Sequence, residues 1–492
     1  MESDSVREKS LKLNFIMNAI LTMSSFIFPL ITFPYVSRVL LPIGTGKVAF
    51  ATSLITYFNM FAQLGIPTYG VRACAMVRDD REELTKTAHE LLLINLFMGL
   101  LSYVALLVAL IFVPRLRDDR LLYVIISLTI VLSAIGMEWL YKALEQYTYI
   151  TIRSIIFKFV ALIAMFLLVH KQQDYIIYGG ITILAASASN IFNLINVHKY
   201  IDMRWIGNYH FKRHLKVIAI FFAMACATTI YTNLDAVMLG FMKTDEDVGY
   251  YNAAVKIKNI LVSIVTSLGT VLLPRASYYV EHGEMKEFRR ISAKALNFVF
   301  LIATPMMIYF ILFAKYGIYF LSGSAYTGSI LPMQIIMPTL LFIGITNILG
   351  IQILVPLGKE KIVLYSEIAG AVIDLIINAL LIPRLASSGA AIGTLIAEMV
   401  VLIVQYIALR DEVTELLKKI HYGKIILAIA LSSFGSIWIV QFAFSNFITL
   451  MVSAILFFGI YGIILLITKE ELVVEIVNQI FGRFLCKIRN KK

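Results

Sequence analysis

About fourteen apolar stretches, each long enough to cross a bilayer as a helix of about 20 residues, recur between Phe15 and Ile467 with only short loops between them. The first two are read at 13–39 and 48–71, and the last two at 425–445 and 447–467. No loop is large enough to fold into a soluble domain. Any activity therefore has to reside in the helices, inside the membrane.

Composition agrees. The 492 residues are 60% hydrophobic and 15% charged, with a mean hydropathy of +0.84. A soluble protein of this size has too little interior to hide so much apolar surface. The formal charge of +12 does not point to nucleic acid, because of where the cations lie. Roughly 31 Lys and Arg fall in the termini and alternate loops, and roughly 8 in the intervening loops, which is the positive-inside bias. It predicts cytoplasmic termini and an even number of spans, with loops 72–86, 198–216, 275–294 and 410–424 on the cytoplasmic side. The loop 114–120, carrying Arg115, Arg117 and Arg120, runs against the bias. The basic N-terminus imitates a signal peptide, but its apolar run is too long and lacks a small-residue cleavage site.

Cys74, Cys226 and Cys486 are too few and too scattered for a disulfide framework or a metal site. Nucleotide-binding and hydrolase motifs are absent from the sequence. The last segment places Leu472, Ile476, Ile480, Phe484 and Ile488 near helical spacing among basic residues, the pattern of an interfacial amphipathic helix.

The chain also repeats itself. At an offset of about 203 residues Gly46 falls on Gly249, Thr56 on Asn259, Gln63 on Thr266 and Arg72 on Arg275; Ser25 falls on Thr228 and Thr32 on Asp235. Six spans fill that offset, so both halves take the same orientation, related by an axis along the membrane normal. The expected architecture is all-α and polytopic. It has two pseudo-symmetric six-helix lobes (1–212 and 213–412) facing each other across a central gap, followed by two extra helices and the tail (413–492).

Polar residues run in stripes along this frame. Asn252, Lys256, Asn259, Ser263, Thr266 and Thr270 recur at steps of three and four on the eighth span and share one helix face. A lysine near the bilayer centre costs roughly 2.5–3.5 kcal/mol on insertion scales, so such a face turns to water or to a partner. The alternative is a packed interface joined by small polar residues. The second span carries Thr52, Thr56, Asn59 and Gln63, and the first carries Asn14, Asn18, Thr22, Ser25 and Thr32 around Pro29 and Pro34, where kinks are expected. Asp235 lies beside Asn233 on the seventh span. Glu367, Asp374 and Asn378 share a face of the eleventh, and Glu398 lies within the twelfth. Lys158 and Lys315 are intramembrane cations unless they snorkel to an interface. Arg72 and Arg275 follow repeat-related spans, where they either hold a phosphate or anchor the loop.

The segments PLITFPYVSRVLLPIGTGKVAFATSLITYF and LGIPTYGVR, with YTNLDAVMLG, VGYYNAAVKI, LLPRAS and NALLIPRLASSGAAIGTLIAE, resemble bacterial lipid-linked oligosaccharide flippases of the Wzx type. These are polysaccharide transporters of the superfamily that includes multidrug exporters and lipid II flippases. The resemblance covers nearly the whole chain. It implies two six-helix lobes that alternate access to the two sides, and a polyprenyl-pyrophosphate-linked oligosaccharide as substrate. It places the protein in the bacterial cytoplasmic (inner) membrane, with membrane lipid as its setting. A polysaccharide polymerase and a chain-length regulator are the partners such a function would have. Neither catalytic residues nor a metal or other cofactor is expected, and proton against sodium coupling stays open. No acidic residue stands in the first span, where multidrug relatives can carry one for cation coupling. The candidate substrate-contacting residues are Asn59, Gln63, Arg72, Asp235, Asn252, Lys256, Asn259, Arg275, Asp374, Asn378 and Glu398. The rival readings are a lipid II or multidrug exporter and, in a different class, a membrane polysaccharide polymerase or ligase. The last usually needs a sizeable external loop, which the sequence lacks.

Overall fold

A computed structural model describes residues 2–442, 444–475, 477 and 478. Ile476, Ile480, Phe484, Cys486 and Ile488 lie outside the described residues, as does the side chain of Thr270. All regular structure among the described residues is helical, and the chain is a multi-pass membrane protein. Among the described residues ten helices are long and apolar enough to cross a membrane, and up to twelve if two bent pairs each count as one span. That is fewer than the expected fourteen, for two reasons. The first two expected spans run together in one apolar segment, Ile16–Ala75. The expected fourth is Arg120–Gly136, with only 17 residues.

The chain divides into two compact units, Met1–Gly249 and Tyr250–Lys492. The helix Lys212–Met242, which the sequence reading assigned to the second lobe, belongs by its contacts to the first unit.

The first unit opens with the helix Glu2–Gln63, which leaves helical torsions at Leu41 (φ 58°, ψ 177°). Leu41 precedes Pro42, and a residue before proline is driven out of the α region. The chain stays helical through Pro29 and Pro34, where kinks were expected. The helix Arg81–Phe112 starts at Asp80, whose carboxylate accepts from the backbone N–H groups of Glu82 and Glu83 at 2.9 and 3.1 Å, satisfying two orphan donors. It ends at Val113, extended before Pro114. Apolar side chains such as Phe97, Leu100 and Phe112 on this helix, and Phe159 on the helix Tyr147–Leu168, stay exposed, as a lipid-facing surface requires. Two of the buried clusters show how this unit packs. One cluster includes Ile66, Leu91, Trp139 and Leu140, and the other Val36, Leu40, Ala161 and Met165.

The repeat has a physical counterpart. A Cβ on Gly46 would lie 1.7 Å from the Asp245 carbonyl oxygen and 2.8 Å from the Gly249 nitrogen, and a Cβ on Gly249 would lie 2.1 Å from the Pro42 carbonyl oxygen. The two glycines that the 203-residue offset superposes thus form one backbone-on-backbone crossing. Close helix approach in membranes depends on such small residues. The same end of this unit explains the anomalous loop. Arg115 donates to the Gly240 carbonyl at 2.9 Å and pairs with Asp245. Asp119 pairs with Lys47 at 2.9 Å and accepts from the Tyr175 hydroxyl at 2.6 Å. Arg115 is thus spent on a carboxylate, and Arg117 on the Ile111 carbonyl at 3.0 Å.

In the second unit the helices Glu360–Leu385 and Ser387–Ala408 form a hairpin turned at Ala386 (φ 49°). A Cβ on Gly389 would come within 2.6 Å of the Leu381 carbonyl oxygen, so small residues set this spacing too. The polar-striped helix Asp245–Glu281 bends by 42° between Ser267 and Leu272, just ahead of Pro274, as proline predicts. Tyr309, Phe313 and Phe457 form an aromatic core.

Candidate functional site

In the first unit Asn59 and Gln63 are four residues apart on the opening helix, hence on one face. Gln63 is only 7% exposed. Its carbonyl accepts from the Asn95 amide at 3.2 Å. Its own Nε2, with the Oδ1 atoms of Asn59 and Asn95, finds no hydrogen-bond partner among the described residues. Buried amides without partners are costly, so this trio holds unused capacity for a polar ligand. Asn95 carries no signal in the sequence; it stands alone in an apolar run, and only packing brings it to Gln63. Arg72 is exposed on the short helix Ile66–Ala75, which agrees with either of its expected roles. Asp235 is buried. Next to it, the Asn233 amide donates to Thr232 Oγ1 at 2.9 Å and to the Thr229 carbonyl at 3.2 Å.

A second polar network closes the other end of this unit. Glu90 is fully buried. Its carboxylate accepts from His214 Nε2 at 2.6 Å, from Arg213 Nε at 2.9 Å and from the His210 backbone N–H at 2.6 Å. With the ring neutral, His214 Nδ1 then accepts from the Tyr69 hydroxyl at 2.7 Å. Arg213 also reaches Glu83 at 2.6 Å, and His89 Nδ1 meets the Tyr209 hydroxyl at 2.9 Å. Sequence spacing cannot reveal these pairs, because their members stand 120 to 145 positions apart.

In the second unit Asn252 and Lys256 are half-buried, and Asn259 and Arg275 are exposed, along the Asp245–Glu281 helix. No carboxylate among the described residues lies within ion-pair distance of Lys256. Ser263 and Thr266 turn their hydroxyls back to the Ile260 and Val262 carbonyls at 2.6 and 2.9 Å, so they present little spare polarity. Tyr251 instead bonds across to Thr394 at 2.9 Å. Asp374, Asn378 and Glu398 are all buried. The first two converge on Gly393, where a Cβ would lie 2.2 Å from Asn378 Oδ1 and 2.9 Å from Asp374 Oδ1. Glycine at 393 is what lets the two polar side chains lie against the neighbouring helix. Lys315 is exposed, with its ammonium 5.8 Å from the centre of the Tyr319 ring, as snorkelling predicts.

Polar stripes on long helices, with buried amides and a lysine that has no carboxylate at ion-pair distance among the described residues, define a class: a multi-pass helical membrane protein with polar groups inside its helix bundle. Comparison with known proteins narrows this. The chain belongs to the polysaccharide biosynthesis protein family (Polysacc_synt), whose pattern it matches over residues 11–280, and residues 219–380 also match the MatE family. It is 24% identical over 397 residues to an Escherichia coli (strain K12) protein named "Putative O-antigen transporter", covering 80% of this chain and 95% of that one. Its fold is that of "Lipid II flippase MurJ, inward closed conformation" (TM-score 0.70, 17% identity, 93% of this chain and all of that one). It is also shared with an inward-facing multidrug resistance MATE family transporter of the MOP superfamily (TM-score 0.62, 14% identity, 82% of this chain and 99% of that one). The Wzx-type resemblance and the all-α polytopic fold expected from the sequence both hold.

Proposed function

We propose that this protein is a flippase that carries a polyprenyl-pyrophosphate-linked oligosaccharide from the cytoplasmic to the outer leaflet by alternating access, for surface polysaccharide synthesis. The observation that carries the reading is Lys256: a half-buried cation on the polar stripe of the Asp245–Glu281 helix, with no carboxylate at ion-pair distance among the described residues. Such a group is expensive unless an anion visits it, and a pyrophosphate is such an anion. Sugar hydroxyls each cost several kcal/mol to bury without a partner. The unsatisfied amides around Gln63 are suited to replacing part of that lost hydration.

Transport of this kind needs no covalent step, so the proposal assigns no catalytic residue. With cytoplasmic termini, as the loop charges indicate, the membrane potential favours outward movement of the anion by about 2.3 kcal/mol per charge per 100 mV.

In vesicles reconstituted with the purified chain and labelled lipid-linked oligosaccharide, the label should become accessible from the far side. No transfer would overturn the reading. Lys256→Ala should slow transfer about 10–100-fold, the value of a lost charged hydrogen bond, with membrane levels unchanged; an unchanged rate would remove Lys256 from the path. Gln63→Leu should slow transfer about tenfold and, because it strands the buried Asn95 amide that donates to Gln63, should lower stability by about 1–3 kcal/mol. Complementation of strains lacking an O-antigen flippase, a lipid II flippase or a multidrug exporter separates this substrate class from the two others.

A further inference from the structure

An apolar groove of about 330 Å³ lies between residues 20–31 of the opening helix and residues 155–162 of the helix Tyr147–Leu168. Ile27, Phe28, Ile155, Phe159 and Leu162 wall it, and one cation, Lys158, opens into it. Lys158 stands eleven residues from one end of its helix and ten from the other. At about 1.5 Å per residue it sits about 15 Å from either end, near the middle of a hydrocarbon layer about 30 Å thick.

Its ammonium donates to Ser24 Oγ at 2.7 Å and Ser25 Oγ at 3.0 Å. Both partners are neutral, and among the described residues no carboxylate lies within ion-pair distance. An ammonium has three donors, so one remains. Helix packing does not explain the charge. The same two helices are already joined without it at both ends, by Thr151 Oγ1 donating to the Met17 carbonyl at 2.9 Å and the Tyr35 hydroxyl donating to the Val169 carbonyl at 2.7 Å.

Resident membrane lipids keep their phosphates at the two interfaces, far from this depth. Only a lipid in transit brings a phosphate to the midplane. The groove's volume of about 330 Å³ suits a stretch of one hydrocarbon chain, whereas bulk glycerophospholipids carry two. We propose that the groove takes the polyprenyl phosphate end of the carrier lipid, the chain along its apolar wall and a phosphate oxygen on Lys158. This rests on the function proposed above and adds to it a midway station for the carrier, separate from the residues assigned to the sugar.

The test is native mass spectrometry of the full chain in detergent with undecaprenyl monophosphate, undecaprenol or phosphatidylglycerol. Undecaprenyl monophosphate should bind at least tenfold tighter than either of the others. Lys158→Met should abolish that preference and Lys158→Arg should keep it. Ile27→Trp, which narrows the groove while leaving Lys158 in place, should weaken both polyprenyl ligands and decides the matter if Lys158→Met does not fold. A preference that survives Lys158→Met, tighter binding of phosphatidylglycerol, or indifference to Ile27→Trp would overturn the proposal. Vesicle transfer of lipid-linked oligosaccharide without a Lys158-dependent preference would sink the groove and leave the flippase. A Lys158-dependent preference without transfer would do the reverse.

Discussion

Gly46→Ala and Gly249→Ala should each destabilise the protein by about 3 kcal/mol or more, the upper end of the range for overpacking. The added methyl would meet backbone, not a movable side chain: 1.7 Å from the Asp245 carbonyl oxygen in one case and 2.1 Å from the Pro42 carbonyl oxygen in the other. No rotamer change relieves that, so the helices must separate. Separation would disturb the Arg115–Asp245 and Lys47–Asp119 pairs beside the crossing. Gly99→Ala is the control of opposite sign. Nothing lies within 4 Å of its added Cβ, and alanine exceeds glycine in helix propensity, so a gain of about 0.5–1 kcal/mol is expected. Thermal melting of the three variants in detergent measures both signs. Equal melting of Gly46→Ala and the wild type would mean that the two glycines do not meet.

Glu90→Ala should cost about 3–5 kcal/mol, the usual penalty for removing one partner of a buried ion pair. The carboxylate is fully buried and collects bonds from Arg213, His214 and a backbone N–H. Its loss strands the buried His214 and the backbone N–H, while Arg213 keeps Glu83. Glu90→Gln keeps an acceptor and should cost less, about 1–3 kcal/mol. Arg78→Ala, which breaks an exposed pair with Glu145 at 2.7 Å, should cost under about 1 kcal/mol. A melting series ordered Glu90→Ala, Glu90→Gln, Arg78→Ala from largest loss to smallest is the expected outcome. A Glu90→Ala variant as stable as Arg78→Ala would show that the network holds nothing together. Coupling between Glu90 and His214 in a double-mutant cycle measures their direct share.

The architecture was largely legible because apolar runs of spanning length are a local signal. So was the joint placement of Asp374 and Asn378, whose four-residue spacing puts them on one helix face. Legibility failed where backbone geometry decides. Pro29 and Pro34 mark candidate kinks in the opening helix, but nothing in the sequence singles out Leu41, ahead of Pro42, as the point where its torsions leave the helical region. The Arg115 loop looks like an exception to the charge rule until Asp245 is seen beside it. Asn95 looks like an isolated polar residue until Gln63 is seen to accept from it. Arg213 and His214 look like loop charges until Glu90 appears between them.

The amino-acid order alone determined that the chain lives in a membrane, roughly where most of its spans lie and which polar residues share a helix face. These properties follow from spacing along a single helix and from the aversion of charge to hydrocarbon. Only the tertiary structure decided which polar groups are satisfied and which are left waiting: Glu90 fully paired, Gln63 half-paired, Lys158 held by two hydroxyls above an apolar groove. Partnership between residues more than a hundred positions apart depends on how closely the helices approach, and Gly46, Gly249 and Gly393 set that approach through contacts that periodicity does not encode.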